Sequence, residues 1–268
     1  GRVCCTTNGQ LAVQSCCPAL DSGTRSQRVV SMPRVIIVIP CYNEADRLDT
    51  TQVLALAAND DVQVLLVDDG SSDGTLAILE QLASEHPASI DVLALETNGG
   101  KSEAVRRGLL DAAPVAEIVG YCDADFATPV SEMLRLLERM DDGGVDVVTG
   151  ARIARLGAAI ERRPARHYFG RIFATAASLA LGQAVYDTQC GAKLFRSSPA
   201  LSAAIAEPFH SRWAFDVELL GRLLANGASV LEVPLRAWHD VGGSKLKGRD
   251  MLRAGLDLLT IARSLRTK

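Results

Sequence analysis

Between residues 34 and 149 the chain alternates short runs of β-branched and aliphatic residues with longer stretches whose apolar positions recur at helical spacing. The apolar runs fall at 35–39, 62–67, 90–95, 118–122 and 145–149. Each is continuous rather than alternating, as expected of strands buried on both faces of a parallel sheet. The intervening stretches, 44–57, 73–84, 101–113 and 130–140, predict helices, with starts marked by Ser72 or Asp73 and by Pro129. Strand–helix alternation of this kind predicts βαβ units around an α/β sheet, whose ligands bind beyond the carboxyl ends of the strands.

Beyond residue 150 the pattern changes. An arginine-rich stretch (152–166) is followed by a predicted helix (167–181), strand (188–195), helix (212–225), strand (230–234) and final helix (249–265). No internal repeat or low-complexity linker separates the halves, so the second part is expected to add mixed strands and helices to one continuous α/β domain spanning 32–268. The final helix puts Met251, Gly255, Leu258, Ala262 and Leu265 on one face with Arg249, Arg253, Arg263, Arg266 and Lys268 around it. Such a helix can lie on an anionic membrane surface or close the core of the domain.

Composition narrows the class. The chain has 268 residues, 48% hydrophobic and 22% charged, enough to bury a substantial core. Its 28 basic and 32 acidic residues give a formal charge of −4, which predicts no nucleic-acid partner and requires any anionic ligand to be met by a local cluster. No run reaches the roughly 18 apolar residues of a membrane-spanning helix. Cys4, Cys5, Cys16 and Cys17 crowd the first seventeen residues without zinc-site spacing, whereas Cys41, Cys122 and Cys190 are scattered through a body expected to be reduced. The first strand follows Met32 closely, so residues 1–31 are expected to be a disordered extension preceding the natural start.

Candidate chemistry gathers where predicted strands end. The first strand runs into Pro40-Cys41-Tyr42-Asn43-Glu44, the second into Asp68-Asp69-Gly70-Ser71-Ser72-Asp73-Gly74-Thr75, and the fourth into Asp123-Ala124-Asp125. Asp73 alone reads as a helix cap. Adjacent Asp68 and Asp69 repel each other unless a cation, hydroxyls or amides sit between them. Asp123 and Asp125 have the spacing to share one hard cation, Mg²⁺ or Mn²⁺, leaving open positions for substrate phosphates. Asn98-Gly99-Gly100-Lys101 opens a helix with amide donors and a cation, which suits a phosphate or an acidic neighbour. Arg152, Arg155, Arg162, Arg163, Arg166 and Arg171 form a local basic cluster from which one or two could grip a phosphate. No G-x-G-x-x-G follows the first strand, which argues against a dinucleotide dehydrogenase.

Taken in order, I-P-C-Y-N-E (39–44), V-D-D-G-S-S-D-G-T (67–75), N-G-G-K (98–101), D-A-D (123–125), D-T-Q-C-G-A-K-L-F (187–195), R-W-A-F-D-V-E-L-L (212–220) and G-S-K-L (243–246) resemble family 2 glycosyltransferases of the GT-A fold. They are most similar to the dolichyl- or polyprenyl-phosphate glucosyltransferases, which are related to the dolichyl-phosphate mannose synthases. The resemblance implies a Rossmann-like, mostly parallel sheet flanked by helices, with a mixed acceptor-side part. It implies that Pro40, Tyr42, Glu44 and Asp68 or Asp69 hold the base and ribose of a nucleotide sugar, with Lys101 nearby, and that Asp123 and Asp125 hold Mg²⁺ or Mn²⁺ against its diphosphate. Arg152 and Arg166 resemble the arginines that grip the acceptor phosphate, and Asp187 or Asp216 would orient the acceptor or take a proton.

The implied reaction is inverting transfer of one glucosyl residue from UDP-glucose to a dolichyl or polyprenyl phosphate. The protein is expected in the cytoplasm, peripheral at the cytosolic face of a membrane. GDP-mannose as donor, a soluble acceptor, or a non-catalytic nucleotide-sugar-binding subunit are the alternatives. One departure bears on the donor: the Gln that follows D-x-D in the mannose synthases is replaced here by Ala127.

Overall fold

The computed structural model describes residues 33–161, 164–239 and 248–266, without the side chains of 164–169, 248–254, 256 and 266. The expected N-terminal extension, Arg162, Arg163, the G-S-K-L motif and Lys268 lie outside these residues. The elements run β1 (Val35–Cys41), α1 (Thr50–Ala57), β2 (Val62–Asp68), α2 (Thr75–Glu85), β3 (Ile90–Ala94), α3 (Lys101–Ala112), β4 (Ile118–Cys122), α4 (Val130–Gly143), β5 (Val147–Ala151), β6 (Ala159–Ile160) and α5 (Pro164–Leu181). They continue as β7 (Ala192–Arg196), α6 (Pro199–Ile205), α7 (Phe215–Ala225), β8 (Val230–Pro234), β9 (Ala237–Trp238) and α8 (Gly248–Arg266).

Seven strands form one sheet in the order β3-β2-β1-β4-β7-β5-β8, while β6 and β9 make a separate parallel ribbon. Every pairing in the large sheet is parallel except those of β7, which runs antiparallel between β4 and β5. The five apolar runs of the first half thus form the strands their continuity predicts, because helices cover both faces. One apolar layer joins Val35, Ile37 and Ile39 to α1, α2 and α4 through Leu56, Leu79 and Leu136. The opposite layer joins Val38, Val67 and Tyr121 to α3 and α7 through Leu109 and Leu219.

Several boundaries move, for identifiable reasons. The predicted helix at 44–57 begins only at Thr50, where Asp49 accepts from the amides of Thr51 and Gln52. The amides before it are engaged across the sheet edge instead: those of Asn43, Glu44 and Ala45 donate to Ser71 Oγ, Thr75 Oγ1 and Asp73 Oδ2. The predicted strand at 188–195 shortens to β7, and residues 187–191 form the turn that enters it. The predicted helix at 212–225 starts at Phe215, because Ser211 Oγ accepts from the amides of Trp213 and Ala214 and caps the turn before it. The helix predicted to start at 167 begins at Pro164, within the arginine-rich stretch.

A third apolar cluster sits under α5, α7 and α8: Leu258 and Ile261 are buried with Ala177, Ala214 and Val217, and Leu265 packs against them. Leu258, Ile261 and Leu265 of the final helix therefore help close the core, while Leu259 is exposed. Among the described residues, no helix is long and apolar enough to cross a membrane.

Because β1, β2, β4, β5 and β8 are mutually parallel and β7 is reversed, the carboxyl ends of those five strands and the amino end of β7 share one edge. Residues 42–44, 68–75, 123–125, 152, 187–191 and 235 all leave the sheet at that edge.

Candidate active site

The edge is built from loops that bond to one another. Asp69 is buried and its carboxylate accepts three hydrogen bonds from the next loop, from Asn98 Nδ2 (3.0 Å) and the amides of Gly99 and Gly100 (2.8 Å each). The N-G-G amides therefore serve an acidic neighbour. Burial raises the pKa of Asp69 above the usual aspartate value, against the pull of those amides and of nearby Arg212. Gly70 makes the approach possible: its φ is +65°, and a Cβ there would lie 2.8 Å from the amide nitrogen of Asn98.

Asp68 behaves differently. Its Oδ2 accepts from the Ser71 amide at 3.1 Å, but its Oδ1 is buried with no hydrogen-bond partner. A buried acceptor left unpaired is costly and marks a place where a ligand donor would be welcome. Tyr42 is exposed nearby in the loop after β1, and the Glu44 carboxylate lies 3.5 Å from Arg47 Nε.

The loop after β4 carries the next two carboxylates. The Asp123 amide donates to Gly191 O (3.1 Å), and the turn is closed by Phe126, whose φ of +46° is rare for a residue with a side chain. Asp125 Oδ1 accepts from the Ala127 amide at 3.1 Å, and burial followed by the charge of Asp123 raises its pKa. Lys101, the first residue of α3, reaches over to Asp123 Oδ1 at 2.5 Å. Burial opposes its ammonium, but Asp123, Asp216 and Asp125 outweigh burial and raise its pKa.

Gly191, within D-T-Q-C-G, lies directly behind Asp123. A Cβ built on it would overlap both carboxylate oxygens of Asp123. The second half of the chain thus supplies the space in which the D-x-D turn sits.

On the other side, the two remaining carboxylate candidates are already paired. Asp187 receives a two-pronged bond from Arg152, Nε at 2.6 Å and Nη2 at 2.7 Å, with the Arg152 amide adding a third donor at 3.0 Å. The guanidinium stacks 5.4 Å from the centre of the Trp238 ring, and the pairing raises its pKa in spite of burial. Glu232 on β8 holds this turn from below, accepting from the amides of Tyr186 (2.9 Å) and Asp187 (2.6 Å). Asp216 lies beneath the edge, 4% exposed, bonded to the Tyr121 hydroxyl and to Lys193 Nζ at 2.6 Å. The sequence placed Asp216 on the acceptor side; the structure engages it in a buried pair. Arg166 lies in the part of α5 whose side chains fall outside the described residues.

Sequence reasoning passed over Gly191, Lys193, Tyr121 and Glu232. A lysine inside the apolar strand A-K-L-F and a glutamate inside V-L-E-V-P were the available signals, since a buried charge demands a partner.

Residues 36–201 match the family described as glycosyl transferase family 2. The chain belongs to that family. A dolichyl-phosphate beta-glucosyltransferase of Trichomonas vaginalis is 32% identical over 239 residues, covering 84% of this chain and 69% of the relative. A polyprenol monophosphomannose synthase of Mycolicibacterium smegmatis is 28% identical, covering 82% and 84%. Among solved structures, glucosyl-3-phosphoglycerate synthase from Mycobacterium tuberculosis in complex with UDP superposes with a TM-score of 0.60 at 20% identity, over 86% of this chain and 80% of that one. Mannosyltransferase PcManGT from Pyrobaculum calidifontis, in complex with GDP-Man and Mn²⁺, gives 0.57 at 19% identity, over 87% and 64%. These two likenesses show the GT-A fold, and this chain is a glycosyltransferase.

Two carboxylates at this edge fit a hard divalent cation. Asp123 and Asp125 offer oxygen ligands at an open turn, and Gly191 leaves them room. Among the described residues, no group of three or more His, Cys, Asp or Glu is gathered around one point. The chain would thus contribute two carboxylates and leave further positions to substrate oxygens.

Proposed function

We propose that this glycosyltransferase moves one glucosyl residue, with inversion, from UDP-glucose to the phosphate of a polyprenyl or dolichyl phosphate at a membrane surface. The observation that carries the reading is the 32% identity to a dolichyl-phosphate beta-glucosyltransferase across 84% of the chain. The absence of a side-chain ligand at Ala127 favours glucose over mannose: this residue gives only its amide to Asp125 and its carbonyl to His239.

In this mechanism Tyr42 and Pro40 flank the base, and the unpartnered Oδ1 of Asp68 accepts a donor from the nucleoside, with Glu44 beside it. Asp69 acts one step back, holding the N-G-G turn so that Lys101 faces the D-x-D carboxylates. Asp123 and Asp125 would hold Mg²⁺ or Mn²⁺. When bound, that cation neutralises charge building on the departing diphosphate.

The acceptor phosphate monoester is ionised near neutral pH and attacks the anomeric carbon through its own oxygen, as the bond to the diphosphate breaks. It needs orientation more than a base. Arg152 supplies this: two of its nitrogens are anchored on Asp187, and Nη1 has no protein partner among the described residues, leaving a donor fixed in direction. Asp187 then serves as a positioning residue, and Arg166 would complete the grip.

The test offers radiolabelled UDP-glucose or GDP-mannose with Mn²⁺ and a polyprenyl phosphate, followed by organic extraction. Label in the lipid phase from UDP-glucose alone is the expected result. Labelled lipid from GDP-mannose alone overturns the donor assignment, and transfer only to water-soluble alcohols overturns the acceptor.

A further inference from the structure

The ammonium of Lys101 lies where the D-x-D turn would receive a cation. It sits 2.5 Å from Asp123 Oδ1, and the two side chains are 39% and 35% exposed although that oxygen itself is buried. Beneath it the rings of Tyr121 and Phe215 form a floor 6.0 and 5.8 Å away. Of the other carboxylates near it, Asp216 already holds Lys193, whereas among the described residues Asp125 accepts only the Ala127 amide. The Lys101 ammonium therefore offsets Asp123 directly, while Asp125 feels both Lys101 and the more weakly acting Arg47. Its backbone is fixed by Asp69, which clamps the two preceding residues.

We infer that Lys101 is a built-in stand-in for the divalent cation: it neutralises Asp123 in the empty site and yields that carboxylate only when a nucleoside diphosphate arrives to take the ammonium over. The inference rests on the assignment of Asp123 and Asp125 as metal ligands and goes beyond it. A metal ion arriving alone must displace a positive group from its best ligand and then sit beside it, so its binding is weakened by competition and by repulsion. A diphosphate reverses both effects, since its oxygens complete the metal's coordination and pair with the released ammonium. The four-carbon stem of lysine allows that transfer without backbone movement. Metal and nucleotide then bind with positive coupling, which thermodynamics requires to be reciprocal. Lys101 is a positioning residue in this scheme, and its effect on metal binding is opposite in sign to its effect on donor binding.

The experiment titrates Mn²⁺ into the full chain with and without UDP, following free Mn²⁺ by electron paramagnetic resonance, so that no turnover is needed. In the wild type, UDP should tighten Mn²⁺ binding by roughly 5- to 150-fold, the usual span of coupling between two sites. Lys101→Met should bind Mn²⁺ alone about tenfold tighter than wild type while binding UDP more weakly, and UDP should now tighten Mn²⁺ much less. Lys101→Leu gives a second neutral side chain should the first variant fold poorly, and Lys101→Arg should keep the weak binding of the metal alone. Equal or weaker binding of Mn²⁺ alone in the folded neutral variants overturns the inference. The assignment of the metal ligands is tested separately by Asp125→Asn: if that variant binds Mn²⁺ as well as wild type in the presence of UDP, the assignment and the inference fall together. If it loses Mn²⁺ while Lys101→Met gains nothing, only the inference falls.

Discussion

The two halves of this glycosyltransferase place carboxylates at the same sheet edge and treat them in opposite ways. In the first half Asp68 Oδ1 has no hydrogen-bond partner among the described residues, Asp125 accepts the Ala127 amide, and Asp123 faces the Lys101 ammonium. In the second half Asp187 is paired on both oxygens with Arg152, and Oδ1 of Asp216 with Lys193 and Tyr121. Glu218 likewise binds Arg222 and the amide and ring of His210. A carboxylate with free lone pairs at a rim is suited to a ligand, whereas one filled by protein donors orients its partner. We propose ligand roles for Asp68, Asp123 and Asp125, whereas Asp69 in the first half and Asp187 and Asp216 in the second hold protein donors in place.

That contrast makes sharp demands. The largest effect is expected from Lys193→Met, which leaves Asp216 buried without its cation and should cost about 3–5 kcal/mol of unfolding free energy in a denaturant titration. Stability within about 1 kcal/mol of wild type would show that the acceptor-side pairs are not struts. Asp125→Asn should do the reverse, lowering kcat/KM for nucleotide sugar by about a thousandfold (~4 kcal/mol) with Tm nearly unchanged. Gly191→Ala joins the halves, because its methyl group would displace Asp123; a loss of about a hundredfold in turnover with a folded chain would confirm that the second half shapes the donor site.

The smallest effect belongs to a pair remote from the chemistry. Asp146 accepts from the amide and hydroxyl of Ser229 at the far ends of β5 and β8, which lowers its pKa below the ordinary aspartate value of 3.8. An acid with a depressed folded pKa stabilises the fold above its unfolded value and loses that contribution as pH falls through the folded one. Asp146→Asn should therefore lower Tm by about 1–2 °C at pH 7 and by progressively less as the pH falls below 3.8. A pH-independent difference would show that charge plays no part.

Much of this architecture was legible in the chain. The strands β1 to β5 and the helices α2 to α4 follow from continuous apolar runs alternating with helical spacing, since both signals are local and burial on two faces leaves little freedom. The convergence of residues 44, 68, 69, 123 and 125 follows equally, because parallel strands must end at a common edge. Less legible was the start of α1, where amides are captured by a loop some thirty residues away. The ribbon of β6 and β9 and the short α6 gave no periodic signal at two to seven residues.

By itself, the sequence determined which residues could carry charge to the edge and which family pattern they follow, because strand order along the chain and residue type are written in it. Only the tertiary structure decided which of those charges remain open. Whether Asp68 or Asp69 keeps a free oxygen, whether Asp216 faces a ligand or Lys193, and why residue 191 must be glycine all depend on atoms distant in sequence. Hydrogen-bond capacity is a property of the residue, but its consumption is a property of the packed neighbourhood.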